Sequence, residues 1–146
     1  MNLSQLVLRV RSNVNDLNEN IFKKAMIDNY INEGVDRMRN SMYFKDMIYL
    51  TNSADVPIIL PSQFHHLLAV YATSKCHESD ERHFQAGTRM NEFEDKFLQL
   101  ISAIENGEVV LYDANGVEIV FDFEYETVKN VYNTYTQRSE LYNWED

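Results

Sequence analysis

The residues with the most chemical potential lie between His65 and His83. Cys76-His77, with His83 six positions on, has the types of a thiol–imidazole pair in which the imidazole would take the thiol proton. Cys76, however, falls on an apolar stripe, whereas His77 turns toward a polar corner, so the expectation is a small core residue beside a solvated imidazole. His77, Glu78, Asp80, Glu81 and His83 could be offered as metal ligands, but they straddle a break and match no structural zinc spacing. His65 and His66 are adjacent, face different sides of one helix and are poorly placed to share a ligand. Glu92, Glu94 and Asp95 read as the wet face of a helix. Asp80-Glu81 reads as the start of one, where acids suit the helix dipole. Asp113–Gly116 lacks the ligand series of a calcium loop, and the four glycines form no phosphate cradle. The expectation is no catalytic, cofactor or metal site.

The elements around these residues are legible from periodicity. Residues 2–14 predict a first helix, capped by Asn2 or Ser4, with Leu3, Leu6, Val7, Val10 and Val14 on one side. Asn13, Asn15, Asp16, Asn18 and Asn20 break it. A second helix begins near Phe22 or Lys23, with a stripe of Met26/Ile27, Tyr30/Ile31, Gly34/Val35, Met38 and Met42. Gly34 in mid-helix predicts close packing of another helix. Residues 43–60 lose the period and predict a small hairpin or a structured loop, Pro57 confining its second half to an edge. Two long helices follow, folded back on each other about His77–Glu81. Pro61 suits the first helical position of one, which places Phe64, Leu67, Leu68, Tyr71, Ala72 and Cys76 on a stripe. The other carries Phe84, Thr88, Met90, Phe93, Phe97, Ile101 and Ile104 and stops at Asn106-Gly107. Neither is apolar all round.

After Gly107 the period becomes two. Val109–Tyr112 and Val117–Phe121 flank Asp113-Ala114-Asn115-Gly116, a strong hairpin signal. Ile119, Phe121 and Phe123 give the hairpin one apolar face. Residues 125–146 are polar and acidic yet hold Tyr132, Tyr135, Leu141, Tyr142 and Trp144. Aromatics at this density mark contact residues, so this part reads as an extended arm that docks on a partner or sister subunit; folding back on its own helices is the alternative. The fold class is therefore mainly α: a four-helix bundle over 1–107, with a β-prone loop between helices 2 and 3, a C-terminal β-hairpin over 108–124 and an arm over 125–146.

Composition narrows the function. The chain has 146 residues, one cysteine and a net charge of −10. No disulfide framework, signal peptide or membrane span is legible, and a soluble intracellular protein is expected. Residues 1–60 balance seven basic against seven acidic residues, but residues 108–146 hold two against nine. A phosphate grip needs the opposite sign.

The order of elements, with "YINEGVDRM" at Tyr30–Met38 and "LPSQFHHLLAVYATSKCHESDERHFQAGTRMNEFEDKF" at Leu60–Phe97, resembles the tailed-bacteriophage head–tail connector (adaptor) family over roughly residues 3–105. The resemblance lies in the Leu-Pro helix start, the Tyr71-Ala72-Thr73 segment and Phe93-Glu94. Thr73 departs from the family's usual residue there. The resemblance implies a structural virion protein at the neck, assembled in the host cytoplasm as a homo-oligomeric ring, commonly twelve-fold. Such a ring docks on the portal protein, meets a tail or stopper protein, and lets DNA pass without specific binding. A different reading of the same charge is an acidic binding module, a DNA mimic or regulator acting on a basic host protein.

Overall fold

The computed structural model describes residues 1–121. Hairpin positions 122–124 and the whole arm, with Tyr132, Tyr135, Leu141, Tyr142 and Trp144, lie outside the described residues. The described part is mainly helical, with four α-helices: α1 (Leu3–Asn13), α2 (Lys24–Arg39), α3 (His66–Ser79) and α4 (His83–Glu105). A single 3-10 turn, Ser62–Phe64, precedes α3. No helix among these residues is long and apolar enough to cross a membrane.

Helix α1 begins as its sequence dictates. The Asn2 side chain accepts from Gln5 N–H while the Gln5 side chain accepts from Asn2 N–H, a capping box that satisfies two orphan donors. Leu3, Leu6, Val7 and Val10 are buried along its inner side, and so is Arg11. In α2, Ile27, Ile31, Gly34, Val35 and Met38 face the core, but the helix ends at Arg39, so Met42 is exposed rather than on the stripe.

Helix α3 packs against all three others. It departs from the expected single stripe: Leu67, Leu68, Ala69, Val70, Ala72, Thr73, Ser74, Cys76 and His77 are all buried, so it is covered on nearly every side. Pro61 lies before the 3-10 turn, in extended conformation, rather than at the first α-helical position. Thr73 stays in the apolar interior by donating its hydroxyl to Ala69 C=O (2.7 Å) and accepting from Asn13 Nδ2 (3.2 Å). Gly34 of α2 crosses α3 where a Cβ would sit 3.2 Å from the Tyr71 ring and 3.3 Å from Leu68, which is the close approach its position foretold.

Helix α4 buries Ala86, Phe93, Phe97 and Leu100. Its first turn faces the other way from expectation. Phe84 is 84% exposed and Thr88 is exposed, because the helical period places both on the face opposite Ala86, Phe93 and Phe97, the face on which Ser74 of α3 donates to Ala86 C=O (2.7 Å). Phe93 and Phe97 stack at 5.7 Å, Tyr71 meets Phe93 edge-on at 5.2 Å, and Phe44 meets Phe97 at 5.9 Å.

The corner differs from the expected start signal. Asp80 closes α3 rather than opening α4, and Arg82, with no side-chain cap, precedes α4. Glu81 takes φ 60°; its N–H reaches Glu78 C=O, and Arg82 N–H reaches His77 C=O. This is a Schellman stop with a side chain at the left-handed position. The same pair of bonds ends α1 with Asn15 at φ 57° and α4 with Gly107 at φ 76°. Of the three, Glu81 bears the steric penalty of that conformation in full. Glu81→Gly should stabilise the protein by about 1 kcal/mol and raise Tm by roughly 3 °C, read by thermal melting. An unchanged or lower Tm would show that the Glu81 side chain contributes more than its strain costs.

Candidate interaction surfaces

The titratable residues singled out in the sequence do not converge. Cys76 is wholly buried, and burial pushes its thiol up to about 12, the reverse of an activated nucleophile. His77 is buried as well, not turned out at the corner. Burial holds its imidazole below the ordinary value, with Arg82 and Arg89 acting the same way. Among the described residues, no group of three or more His, Cys, Asp or Glu could hold a metal ion. Glu92 and Glu94 are occupied: Glu92 accepts from Arg89 (3.1 Å) and Lys96 (3.0 Å), and Glu94 takes Arg37 in a two-bond fork at 3.1 and 2.7 Å.

His65 and His66 also have separate fates. His65 is buried and bridges two backbones, with Nε2 on Leu60 C=O at 2.7 Å and Nδ1 on the Met1 nitrogen at 2.7 Å. His66 is half-buried, with Nδ1 within reach of Gln63 C=O.

Two polar features outside the sequence motifs hold the loops. Arg11 and Asp16 form an ion pair at 3.2 Å with both side chains 2% exposed. Asp16 also accepts from Asn20, Ile21 and Phe22 N–H, and Arg11 donates to Phe22 C=O (2.9 Å). Burial alone would raise the Asp16 carboxyl, but these three N–H donors and Arg11 outweigh it and hold it below the usual range. The signal was present: Arg11 sits four residues after Val7 on the α1 stripe, and a buried arginine requires a partner. The second feature is Asn32, whose side chain brackets Leu50 as a ladder would, accepting from its N–H (2.9 Å) and donating to its C=O (3.0 Å).

That bracket positions an apolar surface. Among the described residues no strand forms over 43–60, so this segment is the structured loop and not the hairpin. Met47, Leu50 and Leu60 anchor it in the core, whereas Ile48, Tyr49, Val56 and Ile58 point outward. Its tip meets the start of α1: Asp55 and Ser53 C=O accept from Leu3 and Ser4 N–H, satisfying orphan donors of that helix. Asp55 in turn accepts from Thr51 and Asn52 N–H, and these bonds hold its carboxyl below the usual range.

Residues 109–121 lie beside the loop. Here one antiparallel bridge joins Tyr112 and Glu118, without longer strands. Asp113 C=O accepts from Gly116 N–H, and Gly116 takes φ 77°. Gly116, not Asn115, occupies the left-handed position, so the turn is a three-residue loop with a bulge. Leu111 is buried and Phe121 meets Tyr43 edge-on at 4.9 Å, leaving Val110, Tyr112, Val117 and Val120 exposed. A cleft of about 470 Å³ runs between the two segments, lined by Val56, Ile58, Val110 and Tyr112. A second, of about 240 Å³, is lined by Met47, Ile48, Ile58 and Ala114. This surface lies at the start of α3. At its other end the corner presents Phe84, which flanks a cleft with Asn13, His77 and Arg82.

No family model, curated protein or solved structure matches the chain.

The buried imidazoles set a pH dependence. His65, His66 and His77 are all held below the ordinary value, chiefly by burial. The unfolded chain binds protons at about pH 6.5 that the folded chain refuses, so their contribution is complete above that pH and is lost as pH falls through the lower folded values. Tm should therefore drop between about pH 7 and pH 5, and His65→Gln should flatten that slope, as measured by calorimetry. A pH-independent Tm across this window would contradict the assignment.

Proposed function

We propose that this chain is a structural virion protein, a subunit of the head–tail connector or adaptor ring that docks on a phage portal and extends the DNA channel toward the tail. In this reading residues 1–107 form a four-helix bundle, residues 108–124 a β-hairpin, and Tyr132, Tyr135, Leu141, Tyr142 and Trp144 a contact arm. No catalytic step, cofactor or metal is assigned to it.

One observation carries the reading: apolar side chains are exposed at both ends of α3. Ile48, Val56, Ile58, Tyr112 and Val120 lie at one end and Phe84 at the other. A ring closed by rotation uses two different patches of the same chain, one on each side of every joint, which is the demand this distribution meets. The loop and turn that carry the larger patch are pinned from behind by Asn32, Leu50 and Leu111, so the patch is presented without first having to be ordered. The acidic balance of −10 supports passage of duplex DNA without adhesion.

Two measurements test the proposal. Mixed with purified portal, the protein should co-sediment as a ring visible by negative-stain microscopy, and Ile58→Glu with Tyr112→Glu should abolish this while shifting Tm by no more than about 2 °C. Deletion of residues 125–146 should likewise leave the melt nearly unchanged and remove ring or portal attachment. A small defined complex with a basic host protein, and none with portal, would favour the acidic binding module. Unfolding of the truncated chain would place the arm in the core.

A further inference from the structure

The apolar features at the two ends of α3 differ in shape. At the corner, Phe84 is the most exposed large apolar side chain among the described residues, at 84%. It stands in the first turn of α4 as a projecting ring. At the start of α3, the cleft of about 240 Å³ is a hollow walled by Met47, Ile48, Pro57, Ile58, Ile59 and Ala114. An apolar cavity of about 150 Å³ takes up benzene, so this hollow has room for a phenyl ring.

The charges beside the two features are opposite in sign. Asp46 and Asp113 complete the lining of the hollow, and no cation among the described residues joins them there. Asp113 accepts from Asn115 and Val117 N–H with one oxygen, and neither acid makes an ion pair among the described residues. The cleft that Phe84 flanks is lined by Arg82 and Arg89 and, among the described residues, by no carboxylate. Arg82 reaches Asp80 through Nε at 3.2 Å, and Arg89 reaches Glu92 through one Nη at 3.1 Å. Each guanidinium therefore keeps N–H groups for a further carboxylate.

We propose that Phe84 of one copy of the chain enters the hollow of the next, with Arg82 and Arg89 brought beside Asp46 and Asp113. Helix α3 has 14 residues and is about 21 Å long, which keeps Phe84 from the hollow of its own chain. Either patch turned on its own kind would oppose like charges: two corners bring four arginines together, and two hollows four aspartates. Corner against hollow pairs ring with cavity and cation with carboxylate. Each such contact leaves one of each patch open, so copies follow one another head to tail. The inference rests on the ring reading only for closure of that series into a circle, and it adds which side chains make the joint.

Disulfide trapping on the full chain tests the contact. Cys76 is wholly buried, so introduced thiols are the reactive ones. Gln85→Cys beside Phe84 and Ala114→Cys at the hollow both fall on exposed positions. Under mild oxidation a mixture of the two single variants should give mixed dimers, and the double variant a ladder of higher oligomers. Phe84→Ala should lower the yield about tenfold without lowering Tm, and raised ionic strength should lower it as well. No mixed dimer at any concentration up to the solubility limit, or a yield indifferent to Phe84→Ala, would overturn the proposal. Homodimers of Gln85→Cys formed in preference to mixed dimers would set corner against corner and equally overturn it. The ring reading is judged apart from this. Portal-bound rings that survive Phe84→Ala would leave the ring standing and dismiss the joint, whereas trapped ladders with no ring on portal would uphold the joint and dismiss the ring.

Discussion

Leu67, Leu68, Ala69, Val70, Ala72, Thr73 and Cys76 leave α3 with scarcely a polar side, so every other helix has to contribute a wall of its enclosure. Helix α1 lies along it in the same direction, with the Met1 nitrogen at His65 and Asn13 at Thr73. Helix α4 folds back from the corner, and α2 closes in where Gly34 lets Tyr71 and Leu68 approach. The polar groups that must enter this interior are each paired locally: Thr73 to Ala69, Ser74 to Ala86, His65 to Leu60.

The outside is organised by backbone hydrogen bonding at the ends of elements. Three helices stop with the same two-bond motif, although the left-handed position is filled by Asn15, Glu81 and Gly107 in turn. Loop carbonyls of Ser53 and Asp55 complete the beginning of α1, and Asn32 substitutes for a missing strand beside Leu50. Segments without regular structure are thereby held closely enough to present Ile48, Val56 and Ile58 to a partner. Under the proposed ring assembly, this is the face on which a subunit would meet its neighbour.

Much of this was legible beforehand, and the failures share a cause. Period and burial coincide along α1 and along α2 from Ile27 to Met38, whereas Met26 and Met42 at the ends of the expected α2 stripe are exposed. Helix α3 was read as one-sided because Ser74, Thr73 and His77 are polar types, yet each is buried with a specific bond or a packed neighbour. Phe84 reads as inward by its type, yet it lies about two and a half turns before the buried Phe93, so the helical period itself turns it outward. The Asp80-Glu81 pair resembles a helix start in composition, but the backbone there ends one helix before beginning the next. For Asn115-Gly116 the turn was found, and its glycine does adopt positive φ, but in a longer loop than the dipeptide suggests. The surfaces were hardest to foresee, because a lone sequence marks an exposed Ile58 or Tyr112 no differently from a buried one.

The Arg11–Asp16 pair carries a consequence for how such a chain could vary over time. Loss of either member strands the other inside a dry interior, so an exchange has to alter both and supply new acceptors for the N–H groups of Asn20, Ile21 and Phe22. Divergence at these two positions should thus proceed in tandem or not at all. A descendant with one altered and the other retained would have had to reroute the entire connection from Asp16 to Phe22, since that stretch takes its course from four bonds to a single carboxylate.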